Sequence, residues 1–245
     1  MKIGIDLGGT KTEIIVLNPT GDTVFRKRVD TPRDNYTKTI AMICDLVTEA
    51  KTSAKINKLK HIGIGIPGVI SPLTGVIKNS NSTWLNGQTF REDLASSLGC
   101  EVRMANDANC MTLSEAVDGA GAGYNVVFAV ILGTGCGAGI TINGHILVGA
   151  NAIGGEWGHN QLPWMDDHER DFAKSVNCYC GKYGCIEQFL SGSALANYYA
   201  YRLNTDKLFS SKEIITMADI NSSLVGFLKK KSLFANSPDK NKKPR

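Results

Sequence analysis

The chain contains 245 residues, of which 42% are hydrophobic and 20% are charged. This composition excludes a disordered protein and indicates one or two domains around a hydrophobic core. The longest clear apolar run, Val126 to Leu132, has seven residues, whereas a membrane span needs about 18. Asp6 interrupts the N-terminal apolar stretch, which excludes a signal peptide. We therefore expect a cytoplasmic protein without a membrane partner.

The net charge of +4 arises at the C-terminal end of the chain. Residues 229–245 carry seven Lys or Arg and one acid, which leaves 20 basic and 22 acidic residues, a net charge of −2, in residues 1–228. The body therefore lacks the basic stripe of a nucleic-acid-binding protein, and we expect no nucleic-acid partner.

Strands and helices alternate in the first half of the chain. Short apolar runs at 3–7, 14–17 and 23–29 predict antiparallel hairpins at one edge of a sheet. The next predicted elements are a helix at 35–53, a strand at 61–66, a helix at 90–98, a strand at 101–105 and a helix to about residue 120. Because ligands bind at the carboxyl ends of strands in α/β sheets, we expect chemistry just after residue 105.

The second half repeats the opening pattern of strand, glycine loop and strand, with strands predicted at 126–132 and 140–142. We therefore interpret the chain as two related lobes, 1–120 and 121–220. Residues 143–190 are rich in Gly, Trp and Cys and show little periodicity, which predicts a loop-rich insert held by something other than a hydrophobic core. Two short helices, at 192–203 and 211–219, follow it, and 221–245 is predicted to be an atypical, disordered basic tail.

Two glycine-rich loops are candidates for phosphate binding. Glycines let backbone N–H groups approach phosphate oxygens, and a carboxylate at a strand end can hold Mg²⁺ through water. The first loop alone is better explained as an ordinary hairpin turn, but a second one favours a nucleotide held by two lobes. The candidate residues are Asp6, Gly8, Gly9, Thr10, Lys11 and Thr12 in the first segment and Gly133, Thr134, Gly135 and Gly137 in the second.

Asp107 stands at a predicted strand-to-helix junction, in the segment Asn106-Asp107-Ala108-Asn109. Asp and Asn are favoured helix caps, so a structural role is one interpretation. A carboxylate at a strand end can also act as a general base on a substrate hydroxyl during phosphoryl transfer. The four residues alone do not decide between the two.

Three cysteines and one histidine have the spacing of a metal site. His159, Cys178, Cys180 and Cys185 form the pattern H-x18-C-x-C-x4-C. Three thiolates and one imidazole match a closed tetrahedral zinc site, and a metal-free loop of reduced cysteines is the alternative. Because four protein ligands leave no open position, we predict that this zinc is structural.

Polar side chains flank these ligands and also occur earlier in the chain. Glu156 and Glu187 lie next to the predicted metal ligands, and a polar run that includes Asn81 precedes Trp84. Such residues are either ordinary surface groups or fixed carboxylates and amides that bind sugar hydroxyls.

These segments together resemble the ROK family of bacterial sugar kinases and repressors, and most of all its fructokinases. The resemblance implies an α/β, actin-like ATPase fold with two ribonuclease H-like lobes. The matching segments are DLGGTKTE (6–13), GIGIPG (63–68), NSTWLNG (81–87), NDANC (106–110), ILGTGCGAG (131–139), GGEWGHNQLPW (154–164) and CYCGKYGCIE (178–187).

The resemblance also implies an activity and roles for the candidate residues. The activity is ATP- and Mg²⁺-dependent phosphorylation of a hexose, first of all fructose to fructose 6-phosphate, with Asp107 as the general base and structural Zn²⁺. A homodimer is a further expectation from the family. The sugar hydroxyls would be held by Asn81, Asn106, Asp107, Glu156, His159 and Glu187.

Three alternatives stay open. Kinases for glucose, mannose or N-acetylglucosamine share most of these motifs. After Asp219 the sequence lacks the glycine-rich segment and final helix of family kinases, so we expect an incomplete second lobe, and an inactive fragment that binds sugar and zinc is the non-enzymatic alternative. A transcriptional repressor is disfavoured, because its DNA-binding helices would precede the segment that begins at Asp6.

Overall fold

The computed structural model describes residues 1–218, which form two compact units. The N-terminal unit contains Met1–Ile131 and Gly137–Glu156, and the C-terminal unit contains Leu132–Cys136 and the described residues from Trp157 onward. The lobe boundaries at 1–120 and 121–220 stay a prediction, and the tail at 221–245 lies outside the described residues. No helix within residues 1–218 is long and apolar enough to cross a membrane.

The elements follow the predicted order closely. The strands are β1 Lys2–Leu7, β2 Lys11–Leu17, β3 Thr23–Asp30, β4 His61–Ile66, β5 Val69–Ile70, β6 Ile77–Lys78, β7 Glu101–Asn106, β8 Val126–Leu132, β9 Cys136–Ile142 and β10 His145–Ile146. The α-helices are α1 Tyr36–Ser53, α2 Phe90–Leu98, α3 Asp107–Val117, α4 Asp167–Ser175, α5 Glu187–Leu190, α6 Gly192–Leu203 and α7 Ser211–Ala218.

A five-stranded sheet with the order β3-β2-β1-β4-β7 forms the centre of the N-terminal unit. The first three strands pair antiparallel, which confirms the predicted edge hairpins, whereas β1, β4 and β7 are parallel. Side chains alternate along a strand, so Ile3, Ile5 and Leu7 are buried on one face. The parallel pairing places the carboxyl ends of three strands at one edge of the sheet.

Helices α1 and α2 contribute to the hydrophobic core beneath this buried face. Their fully buried residues Ile43, Phe90 and Leu94 join the buried strand residues in one cluster. The Asn35 side chain accepts the Lys38 N–H and begins α1, and Gly99 ends α2 in the left-handed region at φ 62°. These local signals explain why both helices lie where the sequence predicts them.

The expectation that residues 143–190 lack a hydrophobic core was wrong. Phe172 of α4 and Phe189 of α5 lie 5.5 Å apart, and Tyr198 of α6 lies 5.0 Å from Phe172 (ring centroids). The three aromatic rings form a small core with Leu162 and Ile186. Each helix contributes only one or two apolar side chains, so the sequence shows no periodicity, yet the rings meet in space.

Truncation of a core ring provides a test of this packing. Phe90 is fully buried, so Phe90→Ala is expected to lower the free energy of unfolding by about 3–5 kcal/mol. Leu73 is 93% exposed, and Leu73→Ala is the matched control, with an expected change below about 0.5 kcal/mol. Urea unfolding followed by circular dichroism measures both, and equal losses in the two variants would contradict the assigned core.

Candidate functional site

The first glycine loop is a tight turn between β1 and β2. The Gly8 N–H donates to the Lys11 carbonyl at 3.0 Å, and a Cβ on Gly8 would lie 2.7 Å from that oxygen. Position 8 therefore requires glycine. The Thr31 hydroxyl donates to the Gly8 carbonyl at 2.8 Å and fastens the turn to the end of β3.

Two of the predicted phosphate ligands in this segment lie in β2 and have structural partners at the end of β3. Thr12 is fully buried, and its hydroxyl lies 2.8 Å from the Thr31 hydroxyl. The Lys11 ammonium pairs with Asp30. The Thr10 hydroxyl accepts a hydrogen bond from the Arg33 guanidinium at 3.2 Å. Gly8 and Gly9, which have no side chain to engage, are the remaining candidates of this turn.

Asp6 and Asp107 come together at the carboxyl edge of the sheet. Asp6 is in register with Gly65, and Asp107 begins α3 directly after β7. Asn106 caps this helix by accepting the Asn109 N–H at 3.3 Å, while its amide donates to the Gly68 carbonyl. The structural interpretation of the junction therefore applies to Asn106 first, although an Asp107 oxygen also accepts the Ala108 N–H.

The two carboxylates line one open cavity. This cavity has a volume of about 950 Å³ and lies within the N-terminal unit, and its size suits a small ligand. Both acidic residues are exposed at its wall. Partial burial of the carboxyl raises the pKa of Asp107, and the negative charge of Asp6 raises it further. The pKa of Asp6 is also raised, by desolvation first and by Glu13 second. A pair of this kind suits a base or a cation site.

The predicted polar run lies against the first glycine loop. A Cβ on Gly9 would lie 3.9 Å from Oδ1 of Asn81. The turn that presents Asn81 is closed by Asn86, which accepts the Ser80 N–H and donates to the Ser80 carbonyl, both at 2.9 Å. The Asn86 side chain therefore fixes the backbone of the residue that precedes Asn81.

The second glycine loop is shorter than the sequence suggests. Residues 136–142 form strand β9, so the turn comprises Gly133, Thr134 and Gly135. Gly137, predicted as a phosphate ligand, lies in β9, where a Cβ would lie 3.5 Å from the Ala108 side chain of α3. This distance is an ordinary van der Waals contact, so the strand packs against the helix but the packing does not require glycine at position 137.

Glu187 holds this second turn within the C-terminal unit. One of its carboxylate oxygens accepts the Cys136 N–H at 2.8 Å, and a Cβ on Gly135 would lie 2.6 Å from the same oxygen. The Gly192 N–H donates to the Gly133 carbonyl at 2.8 Å. Burial and the charge of Glu187 raise the pKa of the Cys136 thiol to about 12, so this thiol stays protonated.

The predicted metal ligands form one cluster in the C-terminal unit. The donor atoms of His159, Cys178, Cys180 and Cys185 all lie within 4.8 Å of one another. Zn–S bonds of about 2.3 Å in a tetrahedron place sulfur atoms about 3.8 Å apart, so the donor set fits a zinc ion. Sγ of Cys180 and Sγ of Cys185 are 3.5 Å apart, and Sγ of Cys178 is 3.5 Å from Nδ1 of His159. That a zinc ion binds here stays a prediction.

The second ring nitrogen of His159 meets a residue that sequence reasoning missed. Nε2 lies 2.8 Å from the Tyr179 hydroxyl, and the two rings meet edge to face. The position of Tyr179 between two predicted ligands was the available signal. The resemblance implies that His159 binds both zinc and sugar. Nδ1 faces Cys178, so Nε2 would be the nitrogen for the sugar, and in this structure Nε2 already has a protein partner.

The predicted sugar ligands are divided between the two units. Asn81, Asn106, Asp107 and Glu156 belong to the N-terminal unit, whereas His159 and Glu187 belong to the C-terminal unit. Their assignment to a sugar stays a prediction.

Comparison with known proteins decides the family. Residues 2–230 match the ROK family. The chain belongs to the ROK family. The α/β, actin-like sugar-kinase fold predicted from the motifs is thereby confirmed, and solved structures of ROK proteins agree with it.

Two solved ROK structures illustrate the agreement. The ROK hexokinase from Thermus thermophilus has a TM-score of 0.75 and 27% identity, over 91% of this chain and 72% of that chain. A ROK family glucokinase from Streptomyces griseus, in complex with glucose and AMPPNP, has a TM-score of 0.65 and 26% identity, over 97% and 72%.

Similar ROK proteins do not support the expected preference for fructose. The N-acetyl-D-glucosamine kinase of Pectobacterium atrosepticum is 42% identical over 203 residues, which cover 82% of this chain and 66% of that protein. The N-acetyl-D-glucosamine kinase of Yersinia enterocolitica is 37% identical over 225 residues, covering 91% and 73%. The chain thus spans about two thirds of the length of the first of these relatives.

Metal analysis of a ligand variant tests the cluster. We expect about one zinc per chain in the purified protein and almost none in Cys185→Ser, with a lower melting temperature, because a structural zinc contributes directly to folding. The control is Cys44→Ser, a half-buried thiol outside the cluster, which should retain its metal. Elemental analysis measures the metal, and zinc retained by Cys185→Ser, or absent from the wild type, would contradict the assignment.

Proposed function

We propose that the protein is an ATP- and Mg²⁺-dependent kinase that transfers the terminal phosphoryl group of ATP to a hydroxyl of N-acetyl-D-glucosamine. The observation that carries this proposal is the pair Asp6 and Asp107 at the carboxyl edge of the sheet, in a chain 42% identical to an N-acetyl-D-glucosamine kinase. Kinases for glucose and mannose, and the inactive sugar-binding fragment, are the competing possibilities. A homodimer is expected from the family alone, and a cytoplasmic location is expected from the sequence.

Asp107 is the general base in this mechanism. Its carboxylate accepts the proton of the sugar hydroxyl while the hydroxyl oxygen bonds to phosphorus, and the bond to the leaving oxygen breaks with its electron pair going to ADP. Desolvation raises the pKa of Asp107 and makes it a stronger base than an ordinary Asp. The cap supplied by Asn106 fixes the start of α3 and with it the position of the carboxylate.

The remaining candidate residues bind and orient. Asp6 would hold Mg²⁺, which neutralises phosphate charge when bound. The turns at Gly8–Gly9 and at Gly133–Gly135 would supply backbone N–H groups to phosphate oxygens. His159 and the three cysteines would hold zinc, which would stabilise the segment that carries Glu187. Asn81, Glu156 and Glu187 would bind sugar hydroxyls.

Replacement of the base tests the mechanism. Asp107→Asn is expected to lower kcat by about 10²- to 10⁴-fold while sugar binding survives, because the amide cannot accept the proton. The wild-type kcat should fall as the pH drops through the raised pKa of Asp107. The same raised pKa means that the folded state loses stability as the pH rises through it, so Asp107→Asn should melt no lower than the wild type at pH 7.

Asp118→Asn is the matched control, because this exposed acid lies at the other end of α3. Steady-state ADP release and calorimetric sugar binding give the two readouts. An Asp107→Asn enzyme as fast as the Asp118→Asn control would eliminate Asp107 as the base.

A panel of sugars tests the substrate. In a coupled ADP-release assay, kcat/KM for N-acetyl-D-glucosamine should exceed that for fructose by at least about tenfold, because a site that hydrogen-bonds a substrate group rejects a sugar lacking it. A ranking with fructose first would refute the substrate. Sugar-induced stabilisation with no ADP release from any sugar would favour the inactive fragment.

A further inference from the structure

Ser82 carries a buried hydroxyl with no hydrogen-bond partner among the described residues 1–218. The residue is only 1% exposed. An unpaired buried hydroxyl destabilises a protein, because it has lost its hydrogen bonds to water without replacing them. Native proteins contain few such groups, and an absent ligand is one physical explanation for them.

Local structure does not use this hydroxyl. The backbone of Ser82 is satisfied, because its N–H donates to Oγ of Ser80 at 3.1 Å and its carbonyl accepts the Leu85 N–H at 2.9 Å. Ser82 directly precedes the short 3₁₀ helix Thr83–Leu85, yet its side chain makes no capping hydrogen bond.

The hydroxyl lies against the first glycine loop. A Cβ on Gly9 would lie 3.2 Å from Oγ of Ser82, closer than the 3.9 Å from Oδ1 of Asn81. Because Gly9 has no side chain, nothing of its own separates the loop backbone from the hydroxyl. The backbone of the turn therefore packs closely against the unpaired hydroxyl, and a group bound at this turn would lie near it.

We propose that Ser82 is a further ligand of the transferred phosphoryl group and donates its hydroxyl hydrogen to one of the phosphoryl oxygens. The inference rests on the proposed phosphotransferase function. A hydroxyl with no existing hydrogen bond loses none when it turns to a ligand, and a positioned donor gains strength as negative charge develops on its acceptor. The phosphoryl group is favoured over the sugar because Ser82 is nearer than Asn81 to the loop that would bind phosphate.

Ser82→Ala separates this role from a structural one. Loss of a hydrogen bond to a charged group should lower kcat/KM for ATP by about 10- to 100-fold, with the sugar KM changed less than about twofold. The melting temperature should not fall, and a small rise is expected, because the variant removes an unpaired polar group. The matched control is Ser80→Ala: this buried hydroxyl accepts the Ser82 N–H, and its loss should lower the melting temperature.

The outcomes are distinct. A lower melting temperature for Ser82→Ala with unchanged ATP kinetics would indicate a structural water on the hydroxyl and overturn the inference. A rise in sugar KM alone would place the hydroxyl on the sugar and also overturn it.

Nucleotide binding can also be measured without catalysis, so that the role of Ser82 is tested separately from the kinase activity. The rise in melting temperature caused by Mg²⁺ and AMPPNP should be smaller in Ser82→Ala than in the wild type. Equal rises would overturn the role of Ser82 alone. No rise in the wild type would overturn the proposed nucleotide site itself, and the inference with it.

Discussion

The parallel pairing of β1, β4 and β7 determines where the polar groups of the N-terminal unit lie. Asp6 is opposite Gly65, and Ile66 is opposite Asn106, so residues about one hundred positions apart share one edge of the sheet. The buried isoleucines on the other face fix this register. A slip of one residue would turn Asp6 into the hydrophobic core and is strongly disfavoured. The placement of the two carboxylates is therefore a consequence of hydrophobic packing.

The site divides structural and chemical tasks between neighbours. Asn106 caps α3 and ties it to the Gly68 carbonyl, so that the adjacent carboxylate is positioned by a helix whose start is already satisfied. Asp107 has a raised pKa, because its carboxyl is partly buried and a second acid lies nearby. Ser82 is also in an unfavourable environment, although its side chain is neutral. Ser80 and Asn86 form the hydrogen bonds of its turn, while the Ser82 hydroxyl has no partner among the described residues. Under the proposed function, a bound ligand would compensate for both unfavourable groups, the Asp107 carboxyl and the Ser82 hydroxyl.

Much of this could be predicted from the sequence wherever the signal is local. Helix α2 and strand β8 have their predicted bounds, and the spacing of His159 and the cysteines predicted their cluster. Long-range contacts were not predictable: the aromatic core around Phe172, and the bond from Glu187 to a backbone N–H 51 positions earlier. The burial of Thr12 could not be predicted from the sequence, because a hydroxyl next to glycines is equally typical of a phosphate-binding loop. The preference for fructose is not supported by the similar proteins, since kinases for several hexoses share the motifs.

The contact between Glu187 and Cys136 links two motifs that look independent in the sequence. Only Ile186 separates Glu187 from the predicted metal ligand Cys185, and the carboxylate of Glu187 holds the turn that Gly135 forms. Cys185, Ile186 and Glu187 are consecutive residues at the start of the short helix α5, so the first and the last cannot move independently. An insertion in the cysteine segment would therefore displace the carboxylate that holds the second glycine turn, although about fifty residues separate the two along the chain.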